Sequence, residues 1–341
     1  MRSNRCIWIL ALLTLYTAIN GASGYPTASR SFARRPKIGN PDCSLQRIHS
    51  DEEIAQEGSP TGTQVMYKTF EGDTLSLTAW KGTHVAVLTS RQGVRPQIMR
   101  KIVAAFDRTY EYYANAAGRT PHGGAQLDGL TTIAEVANVH GNNWFGHGYV
   151  GAAGIEVVPA GFDLLFEGVD ERNEYDQTVF YEFGRNFFFY GKKIAYKGKD
   201  DTAAVTAGFA VLMRFLSMQS AKVAGAPFHG APFDKFKATV VSLVDAYEAS
   251  PDLTWDNTIR INKAPQNSMG LSGTDLFASM CLRLAKKYGG DQFIGKLWRA
   301  VERQPDALTT QDAIVNFVRA ASDAAGKDLV PLFRNRWRWP I

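Results

Sequence analysis

The stretch Tyr175 to Gly191, YDQTVFYEFGRNFFFYG, places the tightest limits on how this chain can fold. Val179, Phe183, Phe187 and Tyr190 recur at helical spacing, which predicts one amphipathic helix across the segment, buried on one face and closed by Gly191. Tyr181, Glu182, Arg185 and Asn186 fall on or beside the same flank. Glu182 and Arg185 are three residues apart, so the guanidinium is expected to pair with the carboxylate and hold it ionised.

The run Tyr181-Glu182-Phe183-Gly184-Arg185-Asn186-Phe187 resembles HELGHNF, the active-site helix of gluzincin zinc metallopeptidases, the aminopeptidase-like and enhancin-like group. In that motif two His at i and i+4 bind zinc, and the Glu between them activates the metal-bound water. Here Tyr181 and Arg185 stand at the His positions and Glu182 keeps the general-base position. The family's third ligand is a Glu in a run like EGFA; Thr206-Ala207-Gly208-Phe209-Ala210 matches it and puts Ala207 at the ligand position. A phenol is a poor zinc ligand near neutral pH, a guanidinium has no lone pair to offer, and alanine offers nothing. No zinc and no other cofactor is expected on this helix.

More closely, the chain is similar to a group of secreted, mostly bacterial proteins of unknown function that carry YELGRNFWFY where the zinc motif would be. That likeness runs from about Phe70 to the C-terminus through WKGTHVAVLT, TIAEV, GYVGAAGIEV, GTDLFASM and the final WRWP. The resemblance implies an α+β, gluzincin-like metallopeptidase fold. An N-terminal mixed sheet with helices would lead to the active-site-type helix and then to an α-helical C-terminal part.

The order of elements along the chain agrees. Residues 1–24 read as a signal peptide, with Arg2 and Arg5 before an apolar run from Cys6 to Ile19 and small residues Ala22-Ser23-Gly24, so the protein is expected to be secreted and extracellular. No segment has the ~20 apolar residues of a membrane span. Loss of the signal lowers the formal charge from +5 to +3, too little to point to nucleic acid. Residues 25–62, with Arg34-Arg35 as a candidate dibasic cleavage site, read as a flexible arm. Residues 63–191 form the α/β subdomain. Strands are expected at Val65–Tyr67, Leu75–Trp80, His84–Leu88, Thr132–Val136 and Gly154–Val158, with a helix from Pro96 to Gly118. Residues 192–341 read as helical, from Ala203 to Ala221 and then through four more apolar-striped segments. In the tail, Trp337 and Trp339 are expected to pack on the domain with arginine stacked over the indoles.

Cys43 and Cys281 remain after signal removal. Either they pair, contributing about 3–5 kcal/mol, or Cys281 is a small buried hydrophobe and Cys43 is free. No N-x-Ser/Thr sequon occurs.

Three functions fit these residues. The first is a pseudo-enzyme whose cleft, lined by Tyr181, Glu182, Arg185, Asn186 and the strand residue Glu156, binds an extracellular peptide, protein or glycan without turnover. The second is a metal-independent hydrolase pairing Glu182 with Glu156 or Asp176. The third is a zinc peptidase with relocated ligands His140 and His147, completed by His122 or Glu135. A serine nucleophile and a nucleotide site are not supported, since neither G-x-S-x-G nor a phosphate-binding Gly-rich loop is present.

Overall fold

The computed structural model describes residues 62–139 and 145–341; the expected signal peptide, Arg34-Arg35, Cys43 and His140 lie outside them. The chain opens with strands β1 Thr63–Lys68, β2 Thr74–Lys81 and β3 Val85–Thr89, then helix α1 Pro96–Ala117. Pro96 stands at the first turn of α1, and Gly118 (φ 72°) ends it in the left-handed region that glycine tolerates. Strands β4 Gln126–Leu127, β5 Leu130–Glu135, β6 Gly146–Gly148 and β7 Ile155–Val157 follow, then helix α2 Pro159–Arg172, strand β8 Glu174–Tyr175 and the central helix α3 Thr178–Asn186. Beyond lie α4 Gly191–Ile194, α5 Ala204–Ser220, β9 Ala224–Gly225, α6 Phe233–Ala249, α7 Gly273–Tyr288, α8 Asp291–Glu302 and α9 Thr310–Ala325. The fold is α+β: the described residues form a seven-stranded mixed sheet, a two-stranded parallel sheet of β8 and β9, and a helical C-terminal half.

The sheet order is β1-β2-β3-β5-β7-β6, with β4 added to β5. β3, β5 and β7 run parallel, while β6 closes the edge antiparallel to β7. Alternation divides the side chains between two faces. Trp80, Val85, Val87, Ile133, Ile155 and Val157 enter the large core with the helices. Tyr67, Leu77, Ala79, Ala86, Leu88 and Ala134 form a smaller cluster on the other face.

Two local expectations are corrected. The central helix is nine residues long and stops at Asn186, short of Gly191. Residues 187, 188 and 190 are all buried aromatics, and on a continuous helix they would fan over most of its circumference. Leaving the helix lets each ring find its own partner, as Tyr190 does by stacking on Trp298 at 5.3 Å. The second correction is α2, a segment where the sequence reading assigns no element. Phe162, Leu165, Phe166 and Val169 are its buried stripe, and Gly161 and Gly168 serve close approach: a Cβ would lie 2.6 Å from a Val157 methyl and from the Glu174 carbonyl oxygen, respectively.

Cys281, on α7, has no disulfide partner among the described residues and is fully enclosed in the core, with 0% exposure. At the C-terminus Trp337 and Trp339 are buried, and Arg338 covers the Tyr247 ring at 4.8 Å. Its guanidinium donates to the carbonyls of Tyr247 (2.7 Å), Ser250 (3.0 Å) and Leu253, so it caps the C-terminal end of α6. Arg338→Ala is expected to cost about 2–3 kcal/mol of stability, read from the urea midpoint. An unchanged midpoint would make the tail a surface appendage.

Candidate functional site

The site is built where α3 meets two neighbours. Asp176 starts the helix by accepting a hydrogen bond from the Thr178 N–H at 2.8 Å. On one side α3 crosses α5 so closely that a Cβ on Gly184 would lie 2.5 Å from the Ala210 Cα. Ala207, half-buried, lies one turn before that contact. On the other side stands the edge strand β6, whose Gly146 and Gly148 leave room for the helix: added Cβ atoms would lie 2.8 Å from a Thr178 methyl and 2.6 Å from the Glu182 carbonyl oxygen.

Gly148 decides what Glu182 can do. In the β6–β7 pair, Phe145 bonds to Val158 and Tyr149 to Gly154, so the backbone groups of Gly148 point away from β7 toward α3. The Gly148 N–H donates to Glu182 Oε2 at 2.8 Å, and its carbonyl accepts from Arg185 Nε at 3.2 Å. Arg185 Nε is also 3.6 Å from Glu182 Oε2. The edge of the sheet is therefore closed at Gly148 by the two charged side chains of the motif, and no peptide strand can pair there.

Glu182 is only 4% exposed. Burial pushes its carboxyl up to about 7, against the opposing pull of Arg185 and the Gly148 N–H. The expectation that Arg185 holds Glu182 ionised is corrected here, because desolvation outweighs a 3.6 Å ion pair. Tyr181 is raised to about 12, first by burial and then by Glu182, with Arg185 and Arg214 acting in the opposite direction. Its ring lies 5.7 Å from the guanidinium of Arg214, a buried residue of α5 that also packs on Phe215 and Phe236.

The other anticipated residues are placed differently. Asn186 is fully buried, and its amide donates to the carbonyls of Tyr149 (3.0 Å) and Gly154 (2.9 Å), clamping the β6–β7 connection. Glu156 pairs across from His147, and both side chains project from the face opposite Gly148, Ile155 and Val157, away from α3. Its Oε1 accepts from Tyr67 Oη (3.1 Å) and the Phe70 N–H (2.7 Å), which pins the β1–β2 turn to the sheet. Glu156 is thus separated from Glu182 by the sheet itself. His147 sits edge-on to Phe70 at 6.1 Å, Glu135 binds Thr89 and the Ser90 N–H, and His122 is exposed. Among the described residues no group of three His, Cys, Asp or Glu is arranged to hold a metal ion.

Gly148 and Arg214 are the residues that sequence reasoning missed. An arginine inside the apolar stripe Val211-Leu212-Met213-Arg214-Phe215 was a usable signal for the second. A groove of about 340 Å³ lies elsewhere, between the β3–α1 loop and α2, and is bridged by the ion pairs Arg91–Asp163 and Arg95–Asp170. Among the described residues no helix is long and apolar enough to cross a membrane.

No protein-family model and no curated protein matches the chain. Among solved structures, the chain is similar to a functionally unknown conserved protein from Bacillus anthracis str. Ames, with 11% identity and a TM-score of 0.47. The match covers 76% of this chain and 48% of that one, so the chain spans about half the length of this neighbour.

Proposed function

We propose that this is a secreted, non-catalytic protein built on a gluzincin-like metallopeptidase scaffold, and that it binds an extracellular peptide or glycan on the α3 face carrying Tyr181 and Arg185. The observation that carries the reading is the engagement of Glu182. A general base needs a carboxylate oxygen that water can reach, and Glu182 is only 4% exposed. Here Oε2 accepts the Gly148 N–H at 2.8 Å and faces Arg185, inside a contact too tight for a side chain on residue 148. The donor set agrees: Tyr181, Arg185 and Ala207 stand where zinc would need three ligands, and they do not fit a cation.

One observation favours the hydrolase reading, since a carboxyl near 7 suits proton transfer at neutral pH. That reading needs a second carboxylate about 5–10 Å away. Glu156 is on the far face of the sheet, and Asp176 is occupied by the N-terminus of α3.

The test is turnover of mixed-sequence fluorogenic peptides by residues 25–341, with and without added zinc, beside Glu182→Gln. The expected result is no cleavage above background in either protein. Cleavage that disappears in Glu182→Gln would overturn the non-catalytic reading and make Glu182 a working base.

A further inference from the structure

Tyr181 and Arg185 sit four residues apart on one face of α3, and each is anchored at one end and open at the other. Arg185 uses Nε for both of its contacts, to Gly148 O at 3.2 Å and toward Glu182 Oε2 at 3.6 Å. Among the described residues Nη1 and Nη2 have no hydrogen-bond partner, and the side chain keeps 18% exposure. The Tyr181 ring is held beside Arg214, and the residue is partly exposed. On α5, Thr206 and Ala207 are half-buried and offer a single side-chain hydroxyl and no carboxylate, while Gly208 faces α7.

This arrangement inverts the chemistry of a metal site. A zinc position presents lone pairs to a cation, whereas this one presents the donors of a guanidinium fork and a phenol. An arginine whose Nε is fixed has its two terminal amino groups pre-aimed, so little further entropy is lost when both bind one oxyanion. We infer that the vacated metal position is a carboxylate-binding site, in which Arg185 takes both oxygens of a peptide carboxylate and Tyr181 donates to one of them. The assignment rests on the proposed binding role of this face and gives its ligand a chemistry.

The surroundings favour a peptide over a uronic acid. A sugar acid carries ring hydroxyls that need polar partners, and the half-buried Thr206-Ala207 pair of α5 offers only the Thr206 hydroxyl. Electrostatics also favour an added anion. Arg185 and Arg214 both lie near Tyr181, and the two acids that act on its phenol, Glu182 and Asp275, are each pushed by burial toward the neutral form.

The experiment is fluorescence anisotropy on residues 25–341 with three N-terminally labelled peptide pools. The first has a free C-terminal carboxylate and no acidic residues, the second the same sequences as C-terminal amides, and the third amides with one Asp. The first or the third pool is expected to bind about 10- to 100-fold more tightly than the second, and which of them does so identifies a terminal or a side-chain carboxylate. Arg185→Gln should bring the acid pool down to the amide level. Tyr181→Phe, which keeps the ring packing, should weaken the acid pool several-fold and leave the amide pool unchanged. Equal binding of all three pools by the wild type would overturn the carboxylate site and leave peptide binding standing. No binding of any pool would overturn both, and binding of an oligouronate in their place would overturn the assignment to a peptide.

Discussion

Gly184→Val is expected to lower the unfolding free energy by about 3–5 kcal/mol and the melting temperature by on the order of 10 °C. A Cβ at this position would meet Ala210 Cα at 2.5 Å, Ala210 Cβ at 2.7 Å and the Tyr113 hydroxyl at 3.3 Å. The first contact is with backbone and cannot be relieved by a rotamer change, so α3 and α5 have to separate. Overpacking by one methylene already costs about 1–3 kcal/mol, and valine adds two further methyl groups. The Tyr113 hydroxyl, which donates to the Phe180 carbonyl at 2.7 Å, would be displaced as well. Separating the helices also moves Tyr181 and Arg185 relative to Ala207, so ligand binding should fall with stability. Gly191→Ala is the control, because its Cβ would meet only a Phe188 ring carbon, at 3.9 Å, and a shift under about 0.5 kcal/mol is expected. Circular dichroism in urea compares the two. A Gly184→Val protein within 1 kcal/mol of wild type would mean that the helices do not cross at this glycine.

How far the sequence reveals this molecule depends on how local each signal is. The helices α1, α7 and α9 carry their own punctuation: Pro96 and Gly118, the Ser272/Asp275 capping box, and the Thr309/Asp312 capping box. Their limits follow from neighbouring residues alone. Gly161, Gly168, Gly146 and Gly148 read locally as helix breakers or hinges, yet each admits a close neighbour from another element, and only the assembled fold shows which. The same division holds at the site. Tyr181, Glu182 and Arg185 are legible because helical spacing alone puts them side by side. Gly148 and Arg214 are not, because they arrive from an edge strand and from the next long helix. Glu156 lies one step of strand alternation from the face that meets α3, and that step puts its side chain on the opposite face of the sheet. The ionisation of Glu182 is hidden for a related reason: sequence displays the partner Arg185 but not the depth of burial, and burial decides.

That burial makes a second large effect measurable. The Glu182 carboxyl is raised from an ordinary 4.5 to about 7 in the folded protein. Below about pH 4.5 it is protonated in both folded and unfolded chains and costs nothing. Between 4.5 and 7 the folded chain keeps a proton that the unfolded chain releases, so stability falls as pH rises, and by pH 8 the loss reaches about 3 kcal/mol. Glu182→Gln keeps an oxygen to accept the Gly148 N–H and removes the charge, so this pH-dependent loss should vanish. The wild-type and Glu182→Gln stability curves are therefore expected to diverge by about 3 kcal/mol between pH 4.5 and pH 8, with the variant favoured at the alkaline end. Burial also raises Asp176, Asp275 and Glu156, but these carboxyls are present in both proteins and cancel in the difference. Urea midpoints across that range make the comparison. Parallel curves would mean that Arg185 and Gly148 hold Glu182 ionised after all. The positive charge of Arg185 would then already be spent inside the protein, and a ligand carboxylate would have little left to gain there.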